Sequence, residues 1–552
     1  MDLVLVGLPG TGKTAVGRRM VRRHGATFVD IDEIVESAAG KPIPAIFAEE
    51  GEAGFRARER AAVAALGPPD TGPRLARVIA TGGGTPVDPR NRWRLYRGRV
   101  VAWLDGPPEI IASRLRRSRV VRPLVEGRDP AATVAALAAL AAARERFYAP
   151  ALRVNGIAPL GAVAATIERH LADDVTGATS LLRAATPIGT LEIGDGTARR
   201  SVGAALAALE ARRAIVVSEP RAWEIGGAAL ADGLAEDGIA VDRILLPRGE
   251  AAKSLRVVER AARELARLHA ERGDPIVAVG GGALGDAAGF VAATYLRGVP
   301  LVHVPTTFVA QLDSSIGGKT AVDLPEGKNL VGAFHQPAAI VIDVAFLRTL
   351  PVRQLRAALG EAAKMGAIGD PRLLELLEDE GPAMARRARS AFESGAFAEV
   401  VERCAWAKVE VVVADERERG SASGRIALNL GHSVGHGIET AARHRGILHG
   451  EAVAYGLRAA CRIGEELGVT PAERGRRIEV LLDRLDLAVA PLPYPAAAVL
   501  AAMRVDKKVR GGRLRWVLPT EGAVTVTTDV PDELVARVTA SVLAGRDLGR
   551  TR

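Results

Sequence analysis

Residues 3–25 read LVLVGLPGTGKTAVGRRMVRRHG, and this stretch decides the fold. Its apolar start suits a strand buried on both faces, a glycine turn follows, and the apolar spacing then becomes that of a helix. The turn matches G-x-x-x-x-G-K-[ST] from Gly7 to Thr14. Between a strand and a helix, the amides of such a loop and the helix N-terminus cradle phosphate. Gly10 and Gly12 let the backbone approach a nucleotide, Lys13 reaches the outer phosphates of ATP, and the Thr14 hydroxyl can ligate Mg2+. The expectation is an α/β fold that begins with a P-loop domain built on a parallel sheet.

The chain has 552 residues, enough for three or four units, with 48% hydrophobic and 25% charged residues, which excludes wholesale disorder. Its net charge of +9 comes from basic residues spread along the chain without interleaved aromatics, so no nucleic-acid partner is expected. No apolar run is long enough for a membrane helix, so no membrane partner is expected either. The opening has no basic leader, and the two cysteines, Cys404 and Cys461, lack disulfide or metal-pair spacing; both facts suit a reducing cytoplasm. Of 74 basic residues only nine are lysine, so each lysine points to a place where a compact ammonium is required and an arginine fork does not serve.

The words after the loop suggest the phosphoryl acceptor. They are FVDIDEIVE at 28–36, IFAEEGEAGFRARE at 46–59, VIATGGGTP at 78–86, RLRRSRVVRPLVEG at 114–127 and RERFY at 144–148. Over residues 1–172 the chain resembles shikimate kinase. That resemblance implies that Asp32 holds and deprotonates the attacking hydroxyl, and that Asp30 supports Mg2+ through water. It also implies that Arg56 and Arg144 bind the shikimate carboxylate, that Gly83 lets the backbone approach the substrate, and that Arg122 in a lid stabilises the transferred charge. Asp30 and Asp32 could instead be a helix-capping pair.

Residues 173–186, DDVTGATSLLRAAT, lose periodicity and read as a linker. Apolar strands then alternate with helical segments, the pattern of a parallel sheet with helices on its faces. The glycine turn Gly280–Gly285 follows a buried strand and opens a helix, which suits a dinucleotide pyrophosphate. The next words are VPTTFVAQLDSSIGGKTAVDLPEGKNLVGAFHQP at 304–337, ALGEAAKMGAI at 358–368 and CAWAKVEVVVADERERG at 404–420. NLGHSVGHGIETAARHRGILHGE at 429–451 and MRVDKKVRGGRLRWVLP at 503–519 complete the set. Together they resemble 3-dehydroquinate synthase over 187–545. The resemblance implies a two-part synthase: a Rossmann-like α/β nucleotide part at 187–345 and a mainly helical metal- and substrate-binding part at 346–552. Seven of the nine lysines fall in these words or in GEAAKSL at 249–255, Lys13 belongs to the P-loop, and Lys41 alone has no role.

His432 and His436 stand four apart, which on a helix puts both imidazoles on one face. The resemblance assigns the metal, Zn2+ or Co2+, to Glu361, His432 and His449, and places His436 on the phosphate side. It implies NAD held by Glu250, Lys253, Gly282, Asp286, Thr306, Thr307, Asp313, Lys319, Lys328, Phe346 and Thr349. Arg297, Lys319, Asn329, Lys364, Lys408, Arg425, Asn429, His436 and one of Lys507 or Lys508 are implied to line the pocket for 3-deoxy-D-arabino-heptulosonate 7-phosphate, with Lys364, Lys408 and His436 among the catalytic groups. Buried cations so numerous would repel one another until an anion arrives. The implied chemistry is transient oxidation at carbon 5, loss of phosphate, reduction and ring closure to 3-dehydroquinate, with NAD returning unchanged. The expected whole is a bifunctional enzyme of the shikimate pathway, homodimeric through the synthase part. A metal-dependent polyol dehydrogenase fused to another small-molecule kinase is the alternative.

Overall fold

A computed structural model describes residues 1–117, 129–171, 179–416, 424–443, 445–487, 490–504, 509–510 and 513–545. Arg122, His444, Lys507 and Lys508 lie outside the described residues. The chain divides into two compact units, Met1–Ala185 with Thr190–Ala198, and Thr186–Gly189 with Arg199–Arg552.

In the first unit, five strands are β1 (Asp2–Val6), β2 (Thr27–Asp30), β3 (Arg77–Ala80), β4 (Val100–Asp105) and β5 (Leu152–Asn155), parallel in the order β2-β3-β1-β4-β5. The strand period of two explains why β1 has no polar face. Leu3 and Leu5 pack with Val16, Met20 and Ile167 on one side of the sheet. Val4 and Val6 pack with Ile31, Ile79 and Tyr148 on the other. The chain leaves β1 through Gly7, Gly10 and Gly12, all at positive φ, and enters the helix Lys13–His24. The expected strand, turn and helix therefore stand as read, and the phosphate loop lies at the carboxyl end of the central strand.

The stretch expected to be a linker is shorter than the sequence suggests. Residues 179–186 form strand β6 (Thr179–Thr186), followed by β7 (Gly189–Asp195). Small residues masked the strand period there, yet Thr179 to Leu182 are buried.

The second unit contains β8 (Arg213–Ser218), β9 (Ala240–Leu245), β10 (Ile276–Gly280), β11 (Leu301–Pro305), the hairpin β12 (Lys319–Leu324) with β13 (Gly327–Phe334), and β14 (Ala339–Asp343). Five of these run parallel in the order β14-β11-β10-β8-β9. Beyond β14 the unit is mainly helical, with Val352–Gly369, Ala396–Ala414, His432–Ala441 and His449–Glu466 at its centre. Among the described residues, no helix is long and apolar enough to cross a membrane.

Candidate active sites

In the first unit the P-loop folds back on itself. Lys13 Nζ donates to Gly7 O at 2.8 Å and Leu8 O at 3.0 Å, and the Thr14 hydroxyl donates to Asp30 Oδ2 at 3.3 Å. Asp30 also caps the helix Ile31–Ala39, accepting from the Asp32 amide at 3.1 Å. The capping alternative thus holds for Asp30 while its second oxygen still faces Thr14, and Asp32 is not the cap.

Each glycine of the triple turn faces one of the expected acceptor-site residues. A Cβ placed on Gly82 would lie 2.8 Å from Asp32 Oδ1, one on Gly83 2.8 Å from Pro9 Cδ and 3.2 Å from Arg144 Nη1, and one on Gly84 2.5 Å from Arg56 Nη2. The absence of three side chains is what lets Asp32, Arg56 and Arg144 converge. The Tyr148 hydroxyl donates to Gly83 O and helps fix the turn.

Glu59 stands in no motif that marks it in the sequence. Its buried carboxylate accepts from Arg56 Nη1 at 2.9 Å and from the Thr85 hydroxyl at 2.6 Å. Burial works against the Arg56 charge, but Glu59 and Glu52 outweigh it and hold the guanidinium above its usual range. The only advance signal was the i, i+3 spacing from Arg56. Lys41, left without a role, pairs at the surface with Glu49 at 2.7 Å and Glu50 at 2.9 Å.

In the second unit three helices bring together groups that are far apart in sequence. Glu361 lies within Val352–Gly369, while His432 and His449 each begin a helix. His449 Nε2 stands 3.1 Å and His432 Nε2 3.7 Å from Glu361 Oε1. Neither oxygen of the buried Glu361 carboxylate has an aligned hydrogen bond, although Lys364 Nζ lies 2.7 Å from Oε2. Burial opposes its ionisation, yet Lys364, His432 and His449 hold the carboxyl well below the usual range. Burial and the Lys364 ammonium hold His432 well below the usual histidine range, so it presents a neutral imidazole. Burial lowers His449 as well, but the Glu361 and Glu439 carboxylates override it and lift the group to about 10. A buried carboxylate and two Nε2 atoms turned toward it form a donor set that fits a catalytic Zn2+ or Co2+ ion.

His436, expected on the phosphate side, belongs to the same imidazole cluster. Ligand atoms of His432, His436 and His449 all lie within 4.8 Å of one another. His436 and His449 also line a cavity of about 600 Å³, together with Glu250, Lys253, Gly282, Asp286 and Thr307. Lys328 and Asn329, from the hairpin β12–β13, line it too.

Several of the expected cations are held in ion pairs. Lys253 Nζ lies 2.6 Å from Asp286 Oδ2 and also donates to Asn329 Oδ1. Lys328 pairs with Glu250 at 3.1 Å, and Lys408 with Asp313 at 2.6 Å. A buried ammonium such as that of Lys253 or Lys408 needs a counter-charge when no substrate is present, and each has a carboxylate. Burial still outweighs Asp313 at Lys408 and holds it below the usual lysine range, whereas Lys364 is held above its own because Glu361 and Asp313 overcome its burial.

The remaining expected residues are not in the cavity lining. The Lys364 and Lys408 ammoniums are buried in their ion pairs, and Thr306 is buried after β11. Arg425 donates to Gly317 O at 3.1 Å, and Asn429 to Ile426 O at 3.2 Å. Phe346 packs its ring against Gly226, and the Thr349 hydroxyl closes onto Phe346 O at 2.7 Å. Lys319 and Arg297 are exposed, Arg297 at a φ of 65°. Cys404 and Cys461 are buried free thiols and pack as small apolar residues.

Comparison with known proteins finds relatives of both units. The family model described as shikimate kinase matches residues 9–156. Those described as 3-dehydroquinate synthase N-terminal and C-terminal match 243–357 and 358–509. A 3-dehydroquinate synthase of Symbiobacterium thermophilum is 44% identical over 332 residues, which is 59% of this chain and 89% of that protein. The structure of 2-epi-5-epi-valiolone synthase from Streptomyces hygroscopicus subsp. jinggangensis, with NAD+ and Zn2+ bound, is similar at a TM-score of 0.58 and 26% identity, covering 64% of this chain and 96% of that one. A 2-deoxy-scyllo-inosose synthase complexed with carbaglucose-6-phosphate, NAD+ and Co2+ is similar at a TM-score of 0.57 and 27% identity, covering 65% and 99%.

Proposed function

We propose how the work is divided in this chain, which belongs to the 3-dehydroquinate synthase family and carries a shikimate kinase domain in front of it. It is a bifunctional enzyme of the shikimate pathway, phosphorylating shikimate with ATP and converting the heptulosonate phosphate to 3-dehydroquinate and phosphate. The polyol dehydrogenase alternative falls with these matches.

In the kinase unit, Asp32 accepts the proton of the attacking hydroxyl, while Arg56 and Arg144 grip the carboxylate of shikimate across the triple-glycine turn. Lys13 swings from its loop carbonyls to the outer phosphates, and Thr14 with Asp30 holds the Mg2+ side. Glu59 keeps Arg56 aimed at the substrate.

In the synthase unit, Glu361, His432 and His449 hold the metal, and the cavity between Gly282 and His449 takes NAD and the substrate. The convergence of those three side chains is the observation that carries this reading. When bound, the ion would supply Lewis acidity toward a substrate hydroxyl and NAD would supply a hydride acceptor. Lys364 and Lys408 exchange their internal carboxylates for the substrate's anionic groups, and His436, beside the ligands, faces the same cavity to pass a proton.

The synthase unit forms a homodimer. Leu330 and Phe334, 54% and 48% exposed, lie on one face of β13, and such apolar exposure suits an interface between copies. Sedimentation at micromolar protein would return a monomer if this is wrong. The unpaired thiols support a cytoplasmic setting.

The test of the division uses two assays on one chain. His432→Ala removes phosphate release from the heptulosonate phosphate and retains shikimate phosphorylation; Lys13→Ala does the reverse. Loss of both activities in either variant refutes the division.

A further inference from the structure

We propose that Glu439 is a positioning residue that sets how tightly the synthase site holds its metal, by anchoring His449. The inference rests on the reading that Glu361, His432 and His449 bind the ion. Both imidazoles turn Nε2 toward Glu361, so each ring is oriented from behind through Nδ1. Behind His432 that partner is a backbone carbonyl, Leu430 O, at 3.1 Å. Behind His449 it is a side-chain carboxylate, Glu439 Oε2, at 3.0 Å.

The two rings differ in how much they need such an anchor. Both begin a helix, but the His432 side chain is 10% exposed and held by packing, whereas that of His449 is 34% exposed. Glu439 lies seven residues after His432, two turns along the same helix face, and its side chain is 13% exposed. The helix His432–Ala441 therefore supplies one ligand itself and orients a second that starts the next helix.

A carboxylate in this position acts in two separable ways. It fixes the tautomer and ring plane, leaving the Nε2 lone pair aimed at the ion, and its charge makes that nitrogen a stronger donor. Glutamine at 439 keeps an oxygen that accepts from Nδ1 but loses the charge. Leucine loses both.

The test is zinc affinity of the full chain without NAD or substrate. Metal-stripped wild type, Glu439→Gln and Glu439→Leu compete for Zn2+ against a chromophoric chelator, and Co2+ loading gives a visible spectrum of the site. The expected order is wild type, then Gln, then Leu, with Leu weaker by about 10–100-fold and its Co2+ absorption altered. Gln equal to wild type with Leu weakened assigns the effect to orientation alone and still supports the proposal. Wild-type affinity and an unchanged Co2+ spectrum in both variants overturn it. If wild type itself takes up no stoichiometric zinc, or His432→Ala binds as well as wild type, the ligand reading fails and this inference with it.

Discussion

At the scale of single residues, the proposed acceptor site of the kinase unit depends on atoms that are missing. A Cβ on Gly84 would press on the end of a flexible side chain, the Arg56 guanidinium, and not on backbone. Gly84→Ala is therefore tolerated by the fold but displaces Arg56, and the KM for shikimate should rise about tenfold while the melting temperature stays nearly constant. Asp32 and Arg56 were legible in the sequence because their motifs carry them. Glu59 was not: a glutamate three residues from an arginine looks like a surface pair, and only folding buries it. His303 yields a prediction of another kind. Burial, then the neighbouring His335, pushes it down to about 4, so the folded protein keeps it neutral. Above the ordinary histidine value of about 6.5 both folded and unfolded chains are neutral there, and its effect on stability is nil. As pH falls from about 6.5 toward 4 the unfolded chain takes up a proton that the folded one refuses, so stability drops, by roughly 3 kcal/mol, and the loss levels off once the folded form also protonates. Urea midpoints between pH 7 and 4 should fall less steeply in His303→Gln than in wild type.

At the scale of elements, the proposed metal ligands are placed by helices that meet backbone to backbone. A Cβ on Gly450 would run into Ala357 O, on the helix that carries Glu361, and one on Gly456 would run into Gly431 O, next to His432. Neither obstacle is a movable side chain. Gly450→Ala should destabilise by at least about 1–3 kcal/mol, seen as a lower urea midpoint, and should weaken zinc binding because it drives His449 away from Glu361. Retained zinc affinity in this variant would show that the helix contact does not set the ligand distance. The i, i+4 spacing correctly placed His432 and His436 on one helix face, and both are in the imidazole cluster. What periodicity could not show is that Lys253, Lys328 and Lys408 each meet a carboxylate from a distant segment; of the four cations only Lys364 has its partner at a local i, i+3 spacing. Pairing of that kind is a product of tertiary structure, and a count of charges gives no hint of it.

At the scale of the whole chain, the P-loop and the histidine words were legible because backbone geometry and ligand chemistry permit few residue types there. The join was not, because DDVTGATSLLRAAT offers small residues in place of an apolar period and half of it is still a strand. The two sites draw their residues from separate units, Lys13, Asp32 and Arg56 from one and Glu361, His432 and His449 from the other. A ligand that binds only one folded unit raises the stability of that unit alone, by about 2.7 kcal/mol at a hundredfold excess over its Kd. Calorimetry of the full chain should accordingly show two unfolding transitions, one raised by Zn2+ and the other by shikimate with MgATP. Dialysis against a transition-metal chelator with Mg2+ kept in excess should then abolish phosphate release, restored by Zn2+ or Co2+, and leave shikimate phosphorylation running. A single transition moved equally by both ligands would mean that the units unfold as one cooperative body, and a kinase activity lost with the zinc would mean that the phosphoryl-transfer site needs the metal of the other.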